Sequence, residues 1–271
     1  MIPYLGCKDS IASEILNCIP AAENFYDLFG GGGSITEAAY KFRENGLFGE
    51  WQKWQKFHYN EINKAICELI KAIWSGKFDF DYARAQEPTK ERYYAERGDL
   101  TAWGAFVSFV WSFGNKNESF VLGRNAKDNY RKYNDALKRI ERTPILPNIA
   151  VTNRDYARVR IKPNSVVYCD IPYNVKNKHY RVKFDFLRFY DWAANCKFPV
   201  YFSEYSCNDR RFELVWEKVV HSKIKVLPMG GKAIFNTERL FWNGKAVELS
   251  GGGVNSLRVK ISLIIIGVKN G

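Results

Sequence analysis

The residues with the most chemistry in this chain are Asp170-Ile171-Pro172-Tyr173, which follow the apolar run Val166-Val167-Tyr168-Cys169. Asp170 offers acceptors only, the Ile171 carbonyl offers another, and Tyr173 presents a flat face for stacking. Pro172 fixes its own φ and holds Ile171 extended. Such a set suits an exocyclic amino group on a planar ring, both of whose N–H bonds would be accepted while the ring is stacked. A second set lies near the N-terminus. Phe25-Tyr26-Asp27-Leu28-Phe29 runs directly into Gly30-Gly31-Gly32-Gly33-Ser34. No Lys follows the last glycine, which disfavours a P-loop, and the G-x-G-x-x-G spacing of dinucleotide enzymes is absent in its usual form. A carboxylate at Asp27 would repel a pyrophosphate and attract a cation or amine. A cofactor carrying an amino acid and a sulfonium on adenosine fits that charge; a tight glycine turn with a capping Asp is the structural alternative. Glu61 follows about 30 residues later, where βα nucleotide-binding units place an acid for a ribose hydroxyl; it also reads as a helix N-terminal acid.

These groups must be positioned by alternating strands and helices. An amphipathic helix (Ile11, Ile15, Leu16, Ile19) with Ser10 as N-cap ends at Pro20. Phe25–Phe29 reads as a buried strand, and a helix follows over 37–43. After a Trp-rich connector, a second strand ends in His58-Tyr59-Asn60-Glu61-Ile62-Asn63, and Ile66, Leu69, Ile70 and Ile73 mark the next helix. The βα pattern resumes with strands at 149–152, 166–168 and 200–204 and a helix over 187–196. The C-terminal third adds strands at 223–227, 238–242 and 258–268, expected to be antiparallel, with a glycine turn at Gly251–Gly253. In such sheets ligands collect outside the carboxyl ends of the strands.

Between about Lys77 and Pro147 the composition changes to Arg, Lys, Tyr and Asn, with Asn115-Lys116-Asn117, Gly123-Arg124-Asn125 and Asn129-Tyr130-Arg131-Lys132-Tyr133. Cations to hold phosphates, amides to read base edges and rings to stack suit a DNA-reading surface. A solvated helical insert is the bland alternative. The apolar run Leu100–Phe113 is expected to give this insert its own core.

The formal charge of +12 on 271 residues favours a polyanionic partner, nucleic acid before membrane surface. Six cysteines without a C-x-x-C pair and only three histidines argue against zinc, so no metal is expected and reduced thiols in a cytoplasmic protein are. The apolar runs 100–113 and 261–268 fall short of the ~18–20 residues a spanning helix needs, so no membrane association is expected.

In order, Tyr4-x-Gly6-x-Lys8, Asp27-Leu28-Phe29-Gly30-Gly31-Gly32-Gly33-Ser34, Glu61, a basic insert, Asp155-Tyr156 and Asp170-Ile171-Pro172-Tyr173 resemble the Dam-type (D12 class) DNA adenine-N6 methyltransferases over essentially the whole chain. The resemblance implies an α/β fold of the Rossmann-like, class I S-adenosylmethionine-dependent type, with a mostly helical DNA target-recognition insert at 78–147 dividing a catalytic domain of residues 1–77 and 148–271. It implies S-adenosylmethionine as cofactor and double-stranded DNA as partner. By the family pattern Tyr4, Lys8, Asp27, Phe29, Gly30, Gly31, Gly32, Ser34, Glu61, Asp155, Tyr156 and Asp170 line the cofactor pocket, and Asp170, Ile171, Pro172 and Tyr173 hold the target adenine. Lys116, Asn117, Arg124, Asn125, Tyr130, Arg131, Lys132 and the loop residue Lys178 are the expected DNA contacts. A cognate restriction nuclease is a candidate partner. The family's tetrapeptide is usually Asp-Pro-Pro-Tyr; Ile171 supplies the same backbone carbonyl, so the change is expected to be tolerated. An RNA-adenine or glutamine-amide methyltransferase, and a DNA-binding protein on a degenerate version of the fold, are the alternatives.

Overall fold

The computed structural model describes residues 2, 7–46, 49–112, 119–120, 126–173, 184–221 and 235–247. Its centre is a seven-stranded sheet in the order β5-β4-β1-β6-β7-β9-β8, formed by β1 (Ala22–Asp27), β4 (Trp54–Asn60), β5 (Ile149–Thr152), β6 (Ser165–Cys169), β7 (Val200–Glu204), β8 (Glu213–His221) and β9 (Phe235–Trp242). The first five in that order are parallel, and β9 runs antiparallel to both its neighbours. A separate hairpin, β2 (Arg43–Gly46) with β3 (Gly49–Gln52), occupies part of the stretch that reads as a connector.

From β1 the chain steps outward through β4 to β5, then returns to lay β6 and β7 on the other flank of β1. The reversal opens a crevice at the carboxyl ends of β1 and β6. All five residues of β6 are buried, as expected for a parallel strand covered on both faces. One face packs Phe25, Trp54, Phe57 and Val166 against Ile15 and Leu16 of α1 (Ala12–Cys18) and Ile35 and Ala39 of α2 (Ser34–Lys41). The other packs Tyr26, Val167 and Phe202 against Phe189 and Ala193 of α8 (Phe186–Asn195).

Three local expectations differ from the structure. α1 is capped at Ile11, with no side-chain cap, rather than at Ser10. Instead the Ile11 amide donates to the Lys8 carbonyl at 3.0 Å, closing a turn that leaves Lys8 buried. No strand is expected at 213–221, where β8 lies, because a register shift between Leu214 and Trp216 breaks the alternation that would reveal it. The strand expected at 258–268, residues 223–227 and the 251–253 turn lie outside the described residues.

The third difference concerns the insert's core. α3 (Lys64–Trp74), capped by the Asn63 side chain, buries Ile66, Leu69, Ile70, Ile73 and Trp74. The insert contributes α4 (Phe80–Ala85), α5 (Lys90–Glu96), α6 (Ala102–Val110) and α7 (Ala126–Glu141). Phe106, Val107 and Val110 of α6 and Tyr133, Leu137 and Ile140 of α7 join one hydrophobic cluster with α3. α6 is apolar all round and is therefore covered on every side. Its packing is continuous with the sheet domain rather than a core of its own.

Candidate active site

Register brings the acids together. Asp27 closes β1 level with Tyr59 on β4 and Tyr168 on β6. Glu61 and Asp170 each follow two residues beyond those partners, so three carboxylates gather at one strand edge.

Asp27 is buried, and one carboxylate oxygen accepts from the Thr36 hydroxyl at 2.7 Å. Its other oxygen, Oδ1, is buried without a hydrogen-bond partner. Burial pushes the Asp27 pKa up to about 7, the Thr36 bond opposing it and the charges of Asp170 and Glu61 reinforcing it. An orphaned buried acceptor of this kind asks for a donor or cation from outside the chain.

Glu61 fastens the glycine loop. Its Oε2 accepts the Gly31 amide at 3.0 Å, and Oε1 accepts the Asn63 amide at 2.8 Å. Burial raises its pKa. The loop fits only as glycine at Gly30, where a Cβ would come within 2.0 Å of the Tyr59 ring. Gly33 has φ +83° and caps α2 from the left-handed region. The Tyr59 hydroxyl donates to the Gly31 carbonyl at 2.6 Å, so ring and loop are locked together. Ser34 opens α2.

Asp170 pairs with Lys8 at 3.0 Å. Burial raises the Asp170 pKa, while Lys8, and next the Tyr173 hydroxyl, pull it back down. The Lys8 ammonium also sits 4.7 Å from the Tyr173 ring centroid. Tyr173 meets Tyr205 edge-on at 4.3 Å, and its hydroxyl donates to Glu238 Oε2 at 2.5 Å. Ile171 is buried among Tyr26, Leu28, Val167 and Phe202, so the residue that departs from the family tetrapeptide fills core space with its side chain.

Asp155 caps a short 3-10 turn (Tyr156–Arg158) through the Ala157 amide and accepts both Arg188 nitrogens at 2.8 Å. Those Arg188 bonds lower its pKa. Tyr156 packs against Phe29, Phe189 and Trp192, with the Arg188 guanidinium 5.2 Å from its ring. Its hydroxyl is buried without a partner. Phe29 and Tyr156 therefore belong to one aromatic wall, while Asp155 is tied to α8.

Of the residues singled out from sequence, Lys8, Asp27, Gly30, Gly31, Glu61, Asp170 and Tyr173 converge on this edge. Arg131 and Lys132 are exposed on α7, away from its buried Tyr133–Leu137–Ile140 face. Tyr4, Lys116, Asn117, Arg124, Asn125 and Lys178 lie outside the described residues, and Tyr130 lies on α7. Sequence reasoning missed Thr36, Arg188, Tyr205 and Glu238. Glu238 had a usable signal: by strand alternation it shares a face with the fully buried Leu240, and an acid on a buried face is unusual. Among the described residues, no group of His, Cys, Asp and Glu is arranged to hold a metal, and no helix is long and apolar enough to cross a membrane.

The profile of the D12 class N6 adenine-specific DNA methyltransferases matches residues 4–192. The chain belongs to that family. The match takes in the glycine loop, Glu61, the insert, Asp155-Tyr156 and the Asp170–Tyr173 tetrapeptide, and ends before β7. The protein is thus a methyltransferase of Rossmann-like fold, with S-adenosylmethionine as methyl donor. A comparison with curated protein sequences returned no match. Among solved structures, a candidate RNA methyltransferase from Pyrococcus horikoshii aligns at 12% identity and TM-score 0.37, over 88% of this chain and 85% of its own. The Escherichia coli candidate methyltransferase yhhF aligns at 10% and 0.38, over 90% and 92%. The tRNA m1G37 methyltransferase of M. jannaschii aligns at 13% and 0.36, over 90% and 49%.

The residues present fit the donor. Asp27 Oδ1 is an orphaned acceptor beside the glycine loop, suited to an ammonium. Glu61 keeps unused lone pairs beyond its backbone bonds, suited to ribose hydroxyls.

Proposed function

We propose that this methyltransferase acts on N6 of adenine in duplex DNA. The observation that carries the reading is the joint placement of Asp170 and Tyr173 beside the orphaned Asp27 oxygen, at one end of the sheet. An acceptor and an aromatic face for the target thus lie next to the acceptor for the donor.

Bound S-adenosylmethionine supplies a methyl group on an electrophilic sulfonium. Asp27 attracts the donor's ammonium, and Glu61, held by Gly31 and Asn63, takes the ribose hydroxyls. Phe29 and Tyr156, with Asp155 braced by Arg188, line the part of the pocket that takes the purine. In duplex DNA the adenine amino group is buried in its base pair, so the base is flipped out at a cost of a few kcal/mol. Tyr173 replaces part of the lost stacking, worth ~1–3 kcal/mol. Asp170 and the Ile171 carbonyl accept the two N6 hydrogens, which turns the nitrogen lone pair toward the methyl group for in-line displacement. Orientation is the main contribution. Asp170 also stabilises the positive charge that develops on nitrogen, and then accepts the proton that leaves it. Residues 78–147 hold the duplex, with Arg131 and Lys132 on its phosphates.

The test is incubation with plasmid DNA and labelled donor, followed by mapping of modified adenines. The expected result is N6-methyladenine in one sequence context, abolished in Asp170→Ala, which keeps its fold and most nonspecific DNA affinity. Label transferred to RNA or to a protein amide instead of DNA, or retained activity in Asp170→Ala, would overturn the reading.

A further inference from the structure

We propose that Glu238, on the antiparallel strand β9, is a positioning residue that fixes the direction of the Tyr173 ring axis, and so where the ring meets the flipped base. This rests on the reading of Tyr173 as the stacking surface.

Tyr173 lies at the open end of the tetrapeptide, past the last residue of β6, so no ladder hydrogen bond orients it. The Lys8 ammonium is on its ring and Tyr205 meets it edge-on; these contacts limit rotation about the Cβ–Oη axis and leave the direction of that axis to its far end. The hydroxyl donates to Glu238, and a hydrogen bond to a carboxylate is directional. Anchored at Cβ by the chain and at Oη by Glu238, with Asp170 acting on the same hydroxyl, the ring axis is held at both ends.

Glu238 is itself well supported. It pairs with Lys218 in the β8–β9 ladder, and the adjacent Arg239 lies opposite Glu204 on β7. Arg239 donates to the Tyr205 carbonyl, and the Asn236 amide donates to the Tyr205 hydroxyl at 3.2 Å. One strand therefore braces both Tyr173 and the ring that abuts it. The circuit closes through Lys8, whose charge acts on Glu238 as well as on Asp170. Glu238 is only 8% exposed, and burying a carboxylate is costly unless it is bonded. A packing role alone would be met by an apolar residue. β9 lies beyond residue 192, where the family match ends, so this brace is set by the chain's own C-terminal hairpin.

The experiment compares wild type, Glu238→Ala, Glu238→Gln, Tyr173→Phe and the Tyr173→Phe/Glu238→Ala double variant on a duplex carrying the mapped site. Steady-state kinetics on this substrate are paired with calorimetric donor binding, and with emission from a duplex bearing 2-aminopurine at the target position. Glu238→Ala is expected to lower kcat/KM for DNA about tenfold to a hundredfold, with donor Kd unchanged. Bound 2-aminopurine should be brighter in this variant, because a loosely held ring quenches it less. Glu238→Gln keeps an acceptor and should recover most of the loss. In the Tyr173→Phe background, Glu238→Ala should cost little more. If Glu238→Ala does not fold, Glu238→Leu, which fills the buried space without an acceptor, carries the test and must lower kcat/KM over the same range. Undiminished kcat/KM in Glu238→Ala or, failing that, in Glu238→Leu, or an equal loss from Glu238→Ala with and without the hydroxyl, sinks the brace and leaves adenine methylation standing. A wild type that neither methylates DNA nor brightens 2-aminopurine on binding sinks both.

Discussion

The Lys8 ammonium lies 3.0 Å from the Asp170 carboxylate and over the Tyr173 ring, so one cation touches both groups assigned to the target base. Burial raises the Asp170 pKa and Lys8 restrains it. Replacing Lys8 by Met keeps the apolar stem and removes the restraint. The Asp170 pKa then climbs further. The proposed transfer requires the ionised acid, so the acid limb of the single-turnover pH–rate profile should move to higher pH and activity at neutral pH should fall. A profile unmoved in Lys8→Met would contradict the coupling.

Asp27 gives a pH dependence with a defined window. Its carboxyl ionises at about 7 in the folded protein, against an ordinary value of 3.8. Between those limits the folded state holds a proton that the unfolded chain has released. Stability therefore declines as pH rises through this interval and levels off above 7. Asp170 and Glu61, also raised by burial, add slope of the same sign. Asp27→Asn should flatten part of the decline in denaturant unfolding.

Donor binding should run the opposite way, because an ammonium prefers the ionised Asp27. Affinity should rise up to ~tenfold between about pH 6 and about pH 7.5. Calorimetry on wild type and Asp27→Asn checks this; a rise of equal size in both would place the titrating group elsewhere.

Gly30→Ala tests the loop. Its added methyl would collide with the Tyr59 ring, which is itself bonded to the Gly31 carbonyl and cannot swing away freely. Overpacking of this kind costs about 1–3 kcal/mol. Unfolding in urea should show that loss, and donor binding should weaken with it.

On α7, Arg131→Glu with Lys132→Glu should weaken duplex binding to all sequences alike and make the salt dependence shallower, by about one in slope for each phosphate no longer neutralised. Both side chains are exposed, so the melting temperature should change little. Weakening confined to one sequence would mean base readout instead.

The strand-to-loop junctions were legible in the sequence because their chemistry is local: an apolar run ends in an acid, and the acid sits at a sheet edge. That logic reached Asp27, Glu61 and Asp170, and the glycines beside them. It did not reach partners supplied from far along the chain. Thr36 meets Asp27 across a turn of loop and helix, and Arg188 meets Asp155 from α8. Glu238 comes from a strand whose partner β8 is hidden by a bulge. The helix at 102–110 was legible as apolar, but its neighbour was not, because periodicity shows which face is buried and not what buries it.

The merger of α6 and α7 with α3 bears on how such enzymes could be re-engineered. A cassette exchange of residues 78–147 for the equivalent stretch of a relative would tear through Ile66, Ile70 and Ile73 on one side and Phe106, Val107 and Val110 on the other. Chimeras cut at those borders should be soluble only when α3's outward residues travel with the graft. Under the proposed DNA reading, a new target site in this scaffold would come from surface changes on α7 more readily than from wholesale replacement.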